Sequence, residues 1–182
     1  MDDIPSDYFT ENKSIYGRVE KVIDGDTIRV RHCPTFFTCP DPETGKKLSD
    51  STLSIRMYGV DSPELQKKKS DPPSQPFAKE AKDFTSDLIM QKTVEIKLLK
   101  KDQYSRAIAK VQSGTQDISL ELLQRGYATM YKGKGAEYDG NRKVFELAQE
   151  VAKQKKVGIW SLEEALVTPA EFKREQRQLQ LQ

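Results

Sequence analysis

Hydrophobic and polar positions alternate in five short stretches of this chain. Ile15 to Ile23 reads as a strand, Asp24-Gly25 as a tight hairpin turn, and Thr27 to Arg31 as the returning strand, with Ile28 and Val30 set against Arg29 and Arg31. Leu53, Ile55 and Met57 alternate with Ser54, Arg56 and Tyr58 as a third strand; Val94, Ile96 and Leu98 mark a fourth, and Ala107, Ala109 and Val111 a fifth. Between the third and fourth strands the period changes. Phe77, Ala81, Phe84 and Leu88 recur at helical spacing, with Ser74 and Pro76 as start signals. Asp117 is placed to cap a short helix through Leu123, which Gly126 would stop. Val144, Leu147, Ala148, Val151 and Ala152 give a third amphipathic helix. Five short strands with inserted helices predict an α+β chain built on a five-stranded OB-fold Greek-key barrel with three helices.

The segments between and beyond these elements set the domain limits. Residues 1–13 are acidic and irregular and read as a flexible lead-in, and the barrel domain spans 14–160. The segment from Cys33 to Asp50 is rich in turn residues and reads as a long excursion. Residues 161–182 form a polar extension, helical from Thr168-Pro169, with too few apolar positions for core; a solvated face or a partner contact suits it better. No internal repeat is present.

Composition narrows the chemistry. Hydrophobic residues make up 36% and charged residues 32% of 182, which suits one modest core with long solvated faces. The formal charge is only +2, so any basic surface must come from local clustering. A single His, His32, excludes chemistry built on several histidines, and it reads as a surface residue. Cys33 and Cys39 do not form a zinc pattern; they are two free thiols or one local disulfide. No apolar run is long enough to cross a membrane, and no signal-type apolar stretch follows Met1. Whether the chain works in a secreted, organellar or membrane-anchored setting is open at this point.

Three acids fall where turns concentrate them. Asp26 follows the Asp24-Gly25 turn, and Asp61 and Glu64 flank Ser62-Pro63 just after the third strand. Hard cations such as Ca²⁺ bind carboxylate and carbonyl oxygens, which loops supply. On spacing alone, each segment is an ordinary turn. Arg56 leads into Asp61, and Arg106 opens the fifth strand after Asp102-Gln103-Tyr104-Ser105. An exposed strand arginine paired with an acid is the plain reading of each; the functional one is a guanidinium fork for phosphate oxygens. Lys67 to Lys69 reads as a solvated loop rather than the wall of a groove.

Four segments in order, Val22-Ile23-Asp24-Gly25-Asp26-Thr27, Ile55 through Glu64, Asp102 through Arg106 and Gly158-Ile159-Trp160, resemble the staphylococcal nuclease family over about residues 14–160. Ala128 through Tyr131 and Gly135 through Tyr138 further resemble the fungal long-chronological-lifespan endonuclease branch. The resemblance implies an endonuclease, a hydrolase acting on DNA and RNA with Ca²⁺ as cofactor, preferring single strands, leaving 3′-phosphate ends and working as a monomer. It implies Asp26, Asp61 and the Ser62 carbonyl as metal ligands, Glu64 as general base, and Arg56 and Arg106 on the phosphate. Tyr104 would help hold a terminal phosphate, and Tyr131 is the candidate for stacking on a base. Ser62 stands where the family often has Thr, and Gln103 where it has a lysine. The rival readings are an OB module that holds nucleic acid without cutting, and a protein-interaction domain using the tail.

Overall fold

The structure is a computed structural model that describes residues 8–9, 11, 13–42 and 44–179. Most of the lead-in expected over 1–13, and residues 180–182 of the tail, lie outside the described residues. Strand β1 (Ser14–Asp24) pairs antiparallel with β2 (Thr27–Cys33) on one side and β5 (Thr93–Lys101) on the other. β2 pairs with β3 (Leu53–Met57), and β5 with β6 (Ala107–Ser113). β3 then meets β6 in parallel, Arg56 opposite Ile108, and this contact closes the five-stranded barrel. Closure leaves no open edge between these strands. The inward positions follow the alternation in the sequence: Val19, Ile28, Val30, Ile55, Ile96, Leu98, Ala109 and Val111 have no accessible surface.

A bulge between Val19 and Lys21 changes which positions of β1 face inward. Before it Ile15, Gly17 and Val19 are buried; after it Val22 and Asp24 are. The two-residue turn is Gly25-Asp26, one position later than expected, with Asp24 opposite Thr27. Asp26 therefore sits in the turn itself. Three two-residue strands carry no periodicity and were not expected: β4 (Val60–Asp61), β7 (Gln116–Asp117) and β8 (Thr129–Met130). β4 and β8 form a separate ribbon, with Asp61 opposite Thr129.

A four-residue helix, α1 (Leu48–Ser51), lies in the excursion after β2. Cys33 and Cys39 are joined in a disulfide at the base of that excursion. His32 is exposed. α2 (Ala78–Ile89) buries Ala78, Ala81, Thr85 and Ile89, so its inner face is turned one position from the Phe77, Ala81, Phe84, Leu88 stripe. The Thr85 hydroxyl explains the rotation in part: it donates to the Gly25 carbonyl at 2.8 Å and fastens the helix to the β1–β2 turn. α3 (Ile118–Gln124) is capped by the Asp117 carboxylate, which accepts from the Ser119 and Leu120 amides. Gly126 ends it at φ +67°.

α4 (Arg142–Gln154) also departs from the expected face. Val144, Leu147 and Val151 point outward, while Phe145, Ala148, Gln149 and Ala152 are buried. Phe145 decides the rotation, because it packs on Tyr58 (5.1 Å between ring centroids) and Tyr138 (6.0 Å). Turning Phe145 inward completes a buried cluster of three rings. A 3₁₀ segment (Gly158–Ala165) and a polar helix, α5 (Pro169–Leu179), complete the chain.

Gly59 ties the aromatic cluster to the functional strands. It has φ +67°, and a Cβ there would meet Phe145 Cε2 at 2.6 Å. Its carbonyl accepts from the Tyr131 amide at 2.9 Å. Gly59→Ala therefore combines left-handed strain with overpacking against a rigid ring. The expected loss is roughly 2–4 kcal/mol, summed from the two effects, read from urea denaturation; a shift within about 0.5 kcal/mol would show that Phe145 can move aside.

Candidate functional site

Asp26, in the β1–β2 turn, is almost completely buried, as is Asp61 at the end of β4. Two buried carboxylates need compensating donors, and the local backbone supplies several. The Thr27 hydroxyl donates to Asp26 Oδ1 at 2.9 Å, and the Ser62 amide donates to Asp26 Oδ2 at 2.9 Å. Arg56, on β3 opposite Thr27, supplies the charge. Its Nη1 donates to Asp26 Oδ1 at 3.1 Å; its Nη2 donates to Asp61 Oδ1 at 2.6 Å and to the Val60 carbonyl at 3.3 Å. One planar fork thus bridges two acids from two separate nitrogens held in fixed geometry.

The electrostatics follow from this geometry. Burial works against ionisation of Asp26, but the charges of Arg56 and Lys173, with the Ser62 and Thr27 hydrogen bonds, outweigh it and hold its carboxyl below the usual range. Beside Asp26, and against burial, Arg56 is pushed further above its already high value. Asp24 behaves oppositely: burial, then the neighbouring charge of Asp26, raises its carboxyl despite an ion pair with Lys67 at 2.8 Å. Asp24 Oδ1 is buried with no hydrogen-bond partner among the described residues.

Glu64 lies three residues past Asp61 and is held through its backbone. Its amide donates to Gln75 Oε1 at 2.9 Å, and its carbonyl accepts from the Gln75 amide at 2.9 Å. Gln75 Nε2 donates in turn to the Val167 carbonyl at 2.9 Å. This buried glutamine links the acidic loop to the start of the tail. Beyond it, Lys173 of α5 places its ammonium 2.7 Å from Asp61 Oδ1 and 2.7 Å from Glu64 Oε1. The tail is polar, as read from the sequence, but one of its lysines belongs to the site.

Arg106 and Tyr104 line the same cleft, Arg106 just before β6, the strand that runs beside β3. The Asp102 carboxylate accepts from the Tyr104 and Arg106 amides and pairs with Arg106 Nε and Nη2, each at 2.7 Å. That pairing aims the guanidinium while Tyr104, 71% exposed, lies 5.6 Å from it. Tyr131 sits beside Arg56, its ring 5.7 Å from the guanidinium carbon. Arg56, Asp61, Glu64, Tyr104, Arg106 and Tyr131 all line one cleft, whereas Asp26 and Ser62 lie behind it. The cleft also takes in Lys100, Lys101, Lys132 and Lys134, the local basic clustering that a charge of +2 conceals. The three-lysine run divides: Lys67 pairs with Asp24 at the cleft rim, and Lys68 and Lys69 are exposed.

The segments that supply these side chains coincide with a known family. The sequence profile described as staphylococcal nuclease homologue matches residues 54–162, more than half of the chain. The chain belongs to this family. Among its relatives are Endonuclease Htp3 of Saprolegnia parasitica, 41% identical over 177 residues covering 95% of this chain and 82% of that protein. Probable endonuclease LCL3 of Candida tropicalis is 37% identical, with coverage of 94% and 77%; that of Yarrowia lipolytica is 36% identical, with 90% and 77%. By family, then, this staphylococcal nuclease homologue is a nuclease-type hydrolase on an OB-type barrel. No helix among the described residues is long and apolar enough to cross a membrane.

A cation would find hard oxygen ligands here. Asp26, Asp61 and Glu64 offer carboxylates, Asp24 Oδ1 is a buried oxygen with no partner, and an ammonium already sits on two of the acids. The donor set therefore fits Ca²⁺ in chemistry. In the arrangement described, Arg56 and Lys173 hold the acids, and no three His, Cys, Asp or Glu side chains among the described residues close on one point.

Removing the fork should expose its structural share. Arg56→Met leaves Asp26 and Asp61 buried without their shared cation, an expected cost of roughly 3–5 kcal/mol at neutral pH in chelator. Asp26 has its carboxyl lowered in the fold, so its contribution is complete above the ordinary 3.8 and is lost as pH falls through the lowered value. The gap between wild type and variant should narrow below that range. Denaturation curves at neutral pH and in acid measure it, and a gap independent of pH would remove Asp26 from the account.

Proposed function

We propose that this chain is a Ca²⁺-dependent, sugar-nonspecific nuclease that hydrolyses phosphodiester bonds of DNA and RNA, acts preferentially on single strands, and leaves 3′-phosphate ends. The observation that carries the reading is the set of acids and arginines at one cleft: Arg56 forked between Asp61 and the Asp26 behind it, with Glu64 and Arg106 lining the same cleft. A non-cleaving OB module would have no need of buried acids at the mouth of its groove. The names of the relatives point the same way.

Asp26 and Asp61, with the Ser62 carbonyl, are the residues that would hold the cation, whose charge would polarise a phosphoryl oxygen. Glu64 takes the proton from the attacking water as the new oxygen–phosphorus bond forms and the 5′-oxygen departs. Arg56 and Arg106 offer fixed donors to the phosphoryl oxygens where negative charge builds, and their preorganisation is what lowers the barrier. Lys100, Lys132 and Lys134 follow the strand backbone electrostatically, and Tyr104 and Tyr131 give aromatic faces that tolerate any base. Tyr104 also stands beside Arg106, close enough for a terminal phosphate to meet both. The chain works as a monomer in this reading, and the Cys33–Cys39 disulfide suits an oxidising compartment.

Digestion of plasmid, single-stranded oligonucleotide and RNA with Ca²⁺ against chelator tests the proposal. Cleavage is expected to need Ca²⁺ and to be poorly restored by Mg²⁺, which prefers a rigid octahedral shell. Equal rates in the two ions would count against the assigned ligands.

Two substitutions separate the roles. Glu64→Gln should lower turnover by roughly 10² or more with substrate binding little changed; near wild-type turnover would exclude it as the base. Arg106→Lys keeps charge but loses the fork, so the fall should appear mainly in kcat. A melt run alongside matters, because Asp102 also depends on Arg106; a large drop in Tm with intact kcat would make Arg106 a structural partner only.

A further inference from the structure

The least expected contact in the site comes from its far end in sequence. Lys173 reaches Asp61 across 112 residues, and its ammonium touches one oxygen of Asp61 and one of Glu64, each at 2.7 Å. α5, which carries it, is docked and capped. Pro169 is buried, and Glu171 and Thr168 form a reciprocal capping pair: the Thr168 amide and hydroxyl donate to Glu171 Oε2, and the Glu171 amide donates back to Thr168 Oγ1. Gln75 fixes the preceding residue, Val167. The ammonium is thus presented to the acids from a fixed base.

The position suits a cation. The ammonium lies on two of the three acids that would serve the reaction. Ca²⁺ bonds carboxylate oxygens at about 2.3–2.6 Å. A divalent ion on the same Asp61 oxygen would lie within a few ångströms of the ammonium, with strong mutual repulsion. Glu64 has one carboxylate oxygen taken up by the same ammonium.

We propose that α5 is a built-in plug: Lys173 occupies the Asp61 side of the cation seat and reaches across to Glu64, and binding of a divalent cation and docking of Lys173 exclude each other. The inference rests on the cation site assigned above. In the plugged state the ammonium neutralises carboxylates that would otherwise repel. In the open state the cation takes over that task, and Glu64 is released to accept a proton.

The competition has a signature that a merely structural lysine lacks. Lys173→Met should make the metal-free protein less stable, yet bind Ca²⁺ more tightly, by about tenfold, within the usual range for coupled sites. Thr168→Ala is a second variant that leaves every site residue in place. It loosens the cap of α5 and should tighten Ca²⁺ binding by a smaller factor. Calorimetric titration of the full chain gives the affinities. Hydrogen exchange gives the state of α5, whose amides should exchange faster in wild type once Ca²⁺ is added.

Equal or weaker Ca²⁺ binding by the variants, or α5 protection that Ca²⁺ leaves unchanged or increases, overturns the plug while the calcium site stands. If only Mn²⁺ binds, and binds Lys173→Met more tightly, the plug stands and the choice of Ca²⁺ falls. If wild type and both variants bind no divalent cation, the site assignment falls and the plug with it.

Discussion

The Arg56 guanidinium between Asp26 and Asp61 is the interaction on which the site depends. Two carboxylates almost wholly withdrawn from water repel each other and lose hydration, and either effect alone would protonate them or push them apart. A single planar cation in contact with both removes the conflict. The placement has consequences for the backbone. Arg56 belongs to the strand that runs parallel to β6 and closes the barrel, Asp26 to the hairpin turn of the first two strands, and Asp61 to the ribbon with Thr129. Three parts of the fold are therefore held in mutual register by one side chain at the barrel mouth.

Hydrogen bonds from ordinary polar residues make that register rigid. Thr85 fastens the Gly25 carbonyl from the helix side, the Met57 amide donates to the Asp26 carbonyl at 2.8 Å, and the Ser62 amide reaches the Asp26 carboxylate. Gln149 does the same for the second ribbon, its Oε1 accepting from the Met130 amide at 2.8 Å. Each of these donors or acceptors is buried or strand-bound, so each bond is made in surroundings where leaving it unmade would be costly. The apolar barrel below gives stiffness; the polar collar above gives position.

Much of this was legible in the chain. Alternation located all five barrel strands because each has one covered face, and the turn and cap residues around Asp24 and Asp117 carry their own mechanisms. Asp26, Asp61 and Glu64 stood out because they cluster at turns, and Arg56 because its strand leads into Asp61, although their convergence could be expected only through the family resemblance. The faces of α2 and α4 were misread for a common reason. Counting aliphatic side chains ignores that Thr85 and Gln149 are buried to serve backbone groups, and that Phe145 commands a ring cluster with Tyr58 and Tyr138. Two-residue strands have no period to detect. Gln75 and Lys173 left no signal at all: a glutamine in a proline-rich loop and a lysine on a polar helix have a meaning only once long-range contacts bring them to Glu64 and Asp61.

That last point bears on how the charge of the site is arranged. Two of the three acids meet one permanent cation, Arg56, which is buried, bonded to both and driven further from neutrality by its partners. The remaining negative charge lines the cleft through Asp61, which is buried, and Glu64, which is partly exposed. A second positive charge is needed there, and it cannot be another buried arginine without closing the site for good. A lysine on a terminal helix meets the requirement differently. Its single ammonium makes no bidentate fork, and its stem is flexible. Its helix is capped by its own Thr168 and Glu171, and Gln75 ties the preceding Val167 to the acidic loop. The structural cation is thus built into the wall, and the second lies on a terminal helix outside the barrel strands.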